Sequence, residues 1–268
     1  MNTIAKAKRR FKKIFGLEHK LNSDFAQSQS ALIVHGLHKS ASMFLYKFFA
    51  HLCEELKAPL HSIHNTPPND KTFLVDTKES LIFCPERSFQ TAPFQFDFLQ
   101  TKHLFQVRDP RDILVSEYFS IGWSHTDQNW DEAEKARRQK IQQMTIDQYV
   151  VQEPQIGKYP LVKRYQPLLK QIGSDNICVV KYETMVHDFP KWLATVLPLV
   201  GLGSSADISF LTSHYIDEFQ ADKSDGSHKR NVASGDHKKK LAPQTIEILN
   251  ERFAPVLQAL GYEASIRA

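Results

Sequence analysis

Lys39, Ser40 and Ser42 bring one cation and two hydroxyls into a single eight-residue turn, His35–Ser42. Small residues and a lysine in such a turn suit a phosphate or sulfate, which takes backbone amides and one positive charge. A second base, Arg108, stands directly before Asp109-Pro110-Arg111-Asp112, and a planar guanidinium fits a terminal phosphate through two parallel hydrogen bonds. A third group of cations lies in 228–240. Two separated cationic turns call for a ligand that is anionic at two places. The turn around Lys39 lacks both glycines of the nucleotide-triphosphate pattern, since His38 precedes the lysine and Ile33 stands five residues further back.

These side chains need strands that end where they begin. Ala31–Val34 is a short apolar run suited to a buried strand, and Met43–Leu52 is rich in helix formers without Gly or Pro. A helix starting near Ser42 and ending near Lys57 would aim its unpaired first amides and its positive dipole end at the turn. His103–Arg108 is a second strand, closed by Asp109 as N-cap, Pro110 at N1 and Asp112 at N3, a carboxylate variant of the capping box. Its helix covers Ile113 to about Ser120. Arg108 thus falls at the carboxyl end of a strand, where open α/β sheets bind ligands.

Further strands are expected at 72–75, 80–84 and 176–182, and helices at 93–102, 131–143, 146–151, 160–169, 191–199 and 243–260, the last kinked by Pro255. Residues 121–175 carry no strand signal and form a helical excursion suited to a lid or an acceptor cap. Residues 221–240 are polar, basic and Gly/Ser-containing, and read as a mobile loop. Strands alternating with helices predict an α/β fold with a mostly parallel sheet covered on both faces.

The 268 residues, 41% hydrophobic and 24% charged, suffice for one large soluble domain. The net charge of +4 is uneven. Residues 1–13 hold Lys6, Lys8, Arg9, Arg10, Lys12 and Lys13 without an acid, leaving the rest slightly acidic. Residues 1–20 therefore read as a basic arm and 21–268 as the domain. Apolar Ile4, Phe11, Ile14, Phe15 and Leu17 interleave with the bases, which suits peripheral contact of residues 1–17 with an anionic membrane. Nucleic acid is not expected, because the body is acidic and has no interleaved aromatic platforms. Cys53, Cys84 and Cys178 show no ligand spacing and sit beside apolar segments, which reads as a reducing, cytoplasmic setting. His61 and His64 have no third ligand nearby, so no metal is expected.

Four stretches together resemble the sulfotransferases that use 3′-phosphoadenosine-5′-phosphosulfate (PAPS). LHKSASMF is similar to that family's 5′-phosphosulfate loop, PKSGTTW: Lys39 and Ser40 match, while Ala41, Ser42, Met43 and Phe44 replace Gly, Thr, Thr and Trp. QVRDPRDILVSEYFS resembles the 3′-phosphate motif, with Arg108 and, eight positions later, Ser116 in the binding places. KYETM is similar to the strand-end element whose tyrosine lies near the adenine, here Tyr182. RNVASGDHK resembles the late RKGxxGDWK loop: Arg230, Gly235, Asp236 and Lys238 match, and Asn231, Val232 and His237 differ.

The resemblance implies a P-loop-like three-layer α/β sandwich and sulfuryl transfer from PAPS to a hydroxyl or amine, leaving adenosine 3′,5′-bisphosphate (PAP). It implies cofactor contacts from His38 through Phe44 and from Arg108, Ser116, Tyr182, Arg230 and Asn231. Lys39 would stabilise the leaving phosphate, and no metal is needed. The family's cytosolic branch places a catalytic histidine at the end of the strand before the 3′-phosphate motif; Glu86 holds that place here, with His125 and then His38 or His35 as further candidates for the base. A small-molecule, lipid or carbohydrate acceptor is compatible, and Phe89, Phe94, Phe96, Phe98 and Trp123 could line its pocket. Two other classes compete: a P-loop-like kinase, which would need the missing glycines and a Mg²⁺-holding acid, and a non-catalytic PAP-binding protein, which would lack a base.

Overall fold

The computed structural model describes residues 31–56, 58–61, 82–86, 89, 101–124, 130–156, 160–220 and 234–263. Among the described residues five strands, β1 (Leu32–Gly36), β2 (Leu60–His61), β3 (Ile82–Glu86), β4 (Lys102–Val107) and β5 (Ile177–Lys181), form one sheet in the order β2-β3-β1-β4-β5. Every pairing is parallel. All strands therefore end on one edge. The chain leaves β1 toward β2 and leaves β4 toward β5, so the connections diverge between these two neighbours, which makes the crevice at their carboxyl ends the switch point of the sheet.

The period-two alternation of the strands feeds two cores. Leu32, Val34, Leu104 and Val180 pack on one face against α1 (Ser42–Leu56), α6 (Tyr182–His187), α7 (Phe189–Val196) and α8 (Ser205–Gln220). Phe105 and Val107 pack on the other against α2 (Pro110–Phe119), α3 (Glu132–Gln142), α4 (Ile146–Ile156), α5 (Leu161–Leu169), α10 (Pro243–Arg252) and α11 (Ala254–Leu260). The architecture is the α/β sandwich that the sequence predicts. A short α9 (Asp236–Lys240) lies inside the stretch expected to be a loop throughout.

Several local expectations are corrected. β1 runs two residues past Val34, because β4 continues alongside and offers Phe105 and Gln106 as partners for His35 and Gly36. In β3 three steps, Phe83 to Glu86, face two in β1, Ile33 to His35. Pro85 lies within that irregular step, where its missing N–H costs no ladder bond. The capping box at α2 is not formed. Asp109 accepts from the Arg111 amide, its own amide donates to Glu183 Oε1 at 3.0 Å, and Asp112 turns elsewhere. The C-terminal helix breaks at Phe253, two residues before Pro255, which then sits in the first turn of α11 where no donor is needed. Helix α4 continues past Val151 through Pro154. Proline leaves the Val150 carbonyl without its helical donor, and Arg252 supplies one at 2.7 Å while also reaching the Val151 carbonyl at 2.7 Å. The expected strand at 72–75, the basic arm and the expected helix at 93–102 as far as residue 100 lie outside the described residues, while Lys102, expected to end that helix, instead opens β4.

Candidate active site

The turn after β1 is held by its own backbone. Ser40 donates both its amide, at 3.0 Å, and its hydroxyl, at 2.5 Å, to the Leu37 carbonyl. Gln106 Nε2 donates to the Ser40 carbonyl at 2.7 Å and is itself fixed by Trp192 Nε1, 3.1 Å from Gln106 Oε1. Arg108 donates to the Lys39 carbonyl at 2.8 Å. The turn is shaped from outside by β4. Gly36 lets α1 approach closely, because a Cβ there would meet the buried Leu45 Cδ1 at 2.8 Å.

Two residues of the turn take left-handed backbone, Lys39 at φ 71° and Ala41 at φ 62°. A Cβ in that region costs about 1–2 kcal/mol. The glycine that the resembling loop carries would avoid that cost at position 41, so Ala41 stores strain in the cradle.

Of the residues expected in this cradle, Ser40 has its donors committed within the turn and contributes loop shape. Ser42 is buried at the start of α1, Met43 is exposed, and Phe44 joins an aromatic group with Phe48, Phe189, Trp192 and Tyr215. Lys39 reaches across the crevice and donates to Ser120 Oγ at 2.7 Å.

Arg108 is buried, its guanidinium 4.3 Å from the centroid of the Tyr182 ring, and its Nε has no hydrogen-bond partner among the described residues. A buried guanidinium with an unmet N–H suits an anion. Tyr182, at the start of α6 after β5, is thereby tied to the same edge as Lys39 and Arg108. Ser116 is half-buried on α2 between Asp112 and Ser120. Asp112, Ser116 and Ser120 recur at intervals of four and so share one face of this segment. The helix continues as a π-helix over Ser120–Ser124, with Arg138 Nε and Gln142 Nε2 donating to the Gly122 carbonyl at 3.0 and 2.6 Å.

Asp112 is a residue that the sequence reading placed only in a capping box. Its carboxylate accepts from the Gly235 amide at 2.6 Å, the His237 amide at 2.9 Å, and His237 Nδ1 at 2.6 Å. Gly235 stands at φ 81°, so the turn into α9 favours glycine there. Asp112 thus latches the described end of the late basic loop to the helix that follows Arg108. The readable signal was its four-residue spacing from Arg108 and Ser116. Burial opposes its charge, but the hydrogen bonds and charge of His237, with that of Arg108, prevail and bring its carboxyl down to about 2.

That depression has a consequence for stability. The folded carboxyl titrates below the ordinary aspartate range, so Asp112 contributes stability that is complete above about pH 4 and is lost as pH falls toward 2. Asp112→Asn is expected to lower stability at pH 7 by about 3 kcal/mol and to flatten the loss on acidification, read from melting temperatures between pH 2 and 7. An unchanged acid limb would remove Asp112 from this role.

His38 is partly exposed, its Nδ1 3.8 Å from Glu117 Oε1. Glu117 is buried and held by Arg164 on both oxygens, at 2.9 and 3.1 Å. Burial opposes its ionisation, yet Arg164 and His38 outweigh it and bring the carboxyl to about 2. His35, also a candidate base, is corrected. It is fully buried in the sheet, stacked on Phe105 at 4.1 Å and bonded to His103 at 3.0 Å, with its pKa pushed well down by burial and by His103. It cannot reach an acceptor. Phe89 is likewise core, fully buried against Phe105 and Tyr165, whereas Trp123 is about half exposed on the π-helix.

Glu86 ends β3 beside His35 on the ligand edge, its side chain outside the described residues. His125, Arg230, Asn231, Phe94, Phe96, Phe98 and His64 also lie outside them. Among the described residues no group of three or more His, Cys, Asp or Glu is arranged to hold a metal, and no helix is long and apolar enough to cross a membrane.

A family profile described as a sulfotransferase domain matches residues 11–261. Among solved structures, mouse sulfotransferase SULT7A1 complexed with PAP is similar at a TM-score of 0.57 and 12% identity, over 89% of this chain and 91% of that one. Retinol dehydratase in complex with androsterone and the inactive cofactor PAP is similar at 0.55 and 12%, over 90% and 83%. The same protein with retinol and PAP gives 0.52 and 11%, over 89% and 83%. At these identities the likeness establishes the fold. Curated protein sequences yield no significant match.

Proposed function

The chain belongs to the sulfotransferase family, and from that premise we propose that it transfers a sulfuryl group from PAPS to a hydroxyl or amine of a small-molecule, lipid or carbohydrate acceptor. The observation that supports this reading is the contact between the two cationic turns: Arg108, buried with an unmet N–H, donates to the carbonyl of Lys39 in the neighbouring turn. Cationic turns at the adjoining ends of β1 and β4 suit a ligand with phosphate at one end and phosphosulfate at the other.

When bound, PAPS supplies an activated sulfuryl group and leaves as PAP. Sulfuryl transfer resembles phosphoryl transfer, in which the protein mainly positions groups and stabilises charge. Lys39 would hold positive charge at the departing phosphate oxygen, with the amides at the start of α1 around the 5′-phosphate. Arg108 and Ser116 would take the 3′-phosphate, and Tyr182, already under the guanidinium, would border the adenine. Arg230 and Asn231 would complete the 3′ side from the loop that Asp112 anchors. The basic arm, residues 1–17, would bring the domain to an anionic membrane surface.

PAP is expected to raise the melting temperature of the full chain, while ATP with Mg²⁺ is not. At one hundred times Kd the gain would be about 2.7 kcal/mol. A response to ATP–Mg²⁺ alone would put the kinase reading first, and a response to neither would end the sulfotransferase reading.

A further inference from the structure

We infer that His38 takes the proton from the acceptor, with Glu117 as the residue that positions its imidazole; the inference rests on the sulfotransferase reading above. His38 immediately precedes Lys39 on the ligand edge, and its side chain is about one-third exposed. Behind it, 3.8 Å from Nδ1, stands a carboxylate that cannot turn away, because Arg164 holds both of its oxygens. That separation is within ion-pair reach and longer than a hydrogen bond, a spacing that catalytic contacts close when a ligand binds. A carboxylate behind one imidazole nitrogen favours the tautomer with N–H toward it and leaves Nε2 as the basic atom.

The charged surroundings permit this. Glu117 faces His38 from α2, and Arg164 from α5 is shared between Glu117 and, at 3.9 Å, Glu153 of α4. Tyr149 of α4 lies within the field of Glu117, and Lys39 is the neighbour in the turn. One arginine is thus divided between two carboxylates, and His38 meets the carboxylate that Arg164 grips with two hydrogen bonds. His35, by contrast, is sealed in the sheet.

In the step, the acceptor O–H bond breaks as an N–H bond forms at His38 Nε2. The oxygen's electron pair makes the new S–O bond while the bridging S–O pair departs with the phosphate. The imidazolium then returns its proton to water.

The test has two readouts on the full chain. First, the imidazole of His38 is titrated by NMR, assigned through His38→Gln, in wild type and Glu117→Gln. Its midpoint is expected to fall by about one pH unit in Glu117→Gln, since an opposite charge at this range moves a pKa by about 1–3 units. Second, PAPS turnover is followed with water as the acceptor. His38→Gln should lose about 100-fold, and Glu117→Gln should shift its acid limb to lower pH while retaining stabilisation by PAP. A His38 midpoint unmoved by Glu117→Gln, or turnover of His38→Gln within threefold of wild type, would overturn the inference. So would a loss seen in Glu86→Gln and not in His38→Gln. Failure of PAP to stabilise wild type would instead remove the underlying function, so the two failures are distinguishable.

Discussion

Arg108→Ala is expected to weaken PAP binding by about 100- to 1000-fold, or about 3–4 kcal/mol, measured by titration calorimetry. The loss is large because the residue acts twice. Its guanidinium is buried with an unmet N–H, which is the form a phosphate can use. It also donates to the carbonyl of Lys39, so removing it strips the neighbouring turn of an external hydrogen bond. A hydrogen bond from a charged group contributes about 1.5–3 kcal/mol, and part of that loss should appear as a lower melting temperature without ligand.

Arg108→Lys separates the two effects. An ammonium keeps the charge, but it lacks the planar fork that could hold the Lys39 carbonyl and grip a phosphate together. It should bind PAP more tightly than the alanine variant and well below wild type. PAP affinity within threefold of wild type in Arg108→Ala would show that the 3′-phosphate is held elsewhere.

How much of this was legible follows from the range of each interaction. The strand–turn–helix units around Lys39 and Arg108 are local, and run length, helix formers and Asp109-Pro110 place them correctly. The partners of Asp112 are not local. Asp at N3 after an N-cap Asp reads as a capping box, but a buried carboxylate goes where it finds the most donors. Gly235 and His237, more than 120 residues away, supply three. The cap amide was met by Glu183 instead. The helix expected at 146–151 runs on for the same reason: it tolerates Pro154 because Arg252, distant in sequence, supplies a donor to the freed carbonyl.

Ser120 shows the middle case. Its spacing of four from Ser116 could be read, but its contact with Lys39 requires the turn after β1 and the end of α2 to face each other. That depends on β4 lying beside β1, a sheet order that no local pattern encodes. The same order brings Tyr182 under Arg108, whereas the resemblance placed it only near an adenine.

Lys39→Met is expected to lower the turnover of PAPS by about 10³-fold while changing PAP affinity by less than about tenfold. The distinction rests on which atoms of residue 39 do what. Its carbonyl, held by Arg108, belongs to the fold of the turn, and that turn is further fixed by Ser40 and Gln106. A methionine leaves all of these in place. The ammonium is removed, together with its bond to Ser120. Since the turn keeps its shape, the proposed ground-state contacts to the phosphates through amides and Arg108 are expected to persist. What disappears is the positive charge at the oxygen that gains negative charge as the sulfuryl group departs. An interaction of that kind lowers kcat and kcat/KM together and leaves binding nearly unchanged. If Lys39→Met instead lost affinity for PAP as steeply as turnover, Lys39 would be a binding residue and the stabilisation of the leaving group would have to come from the amides of α1.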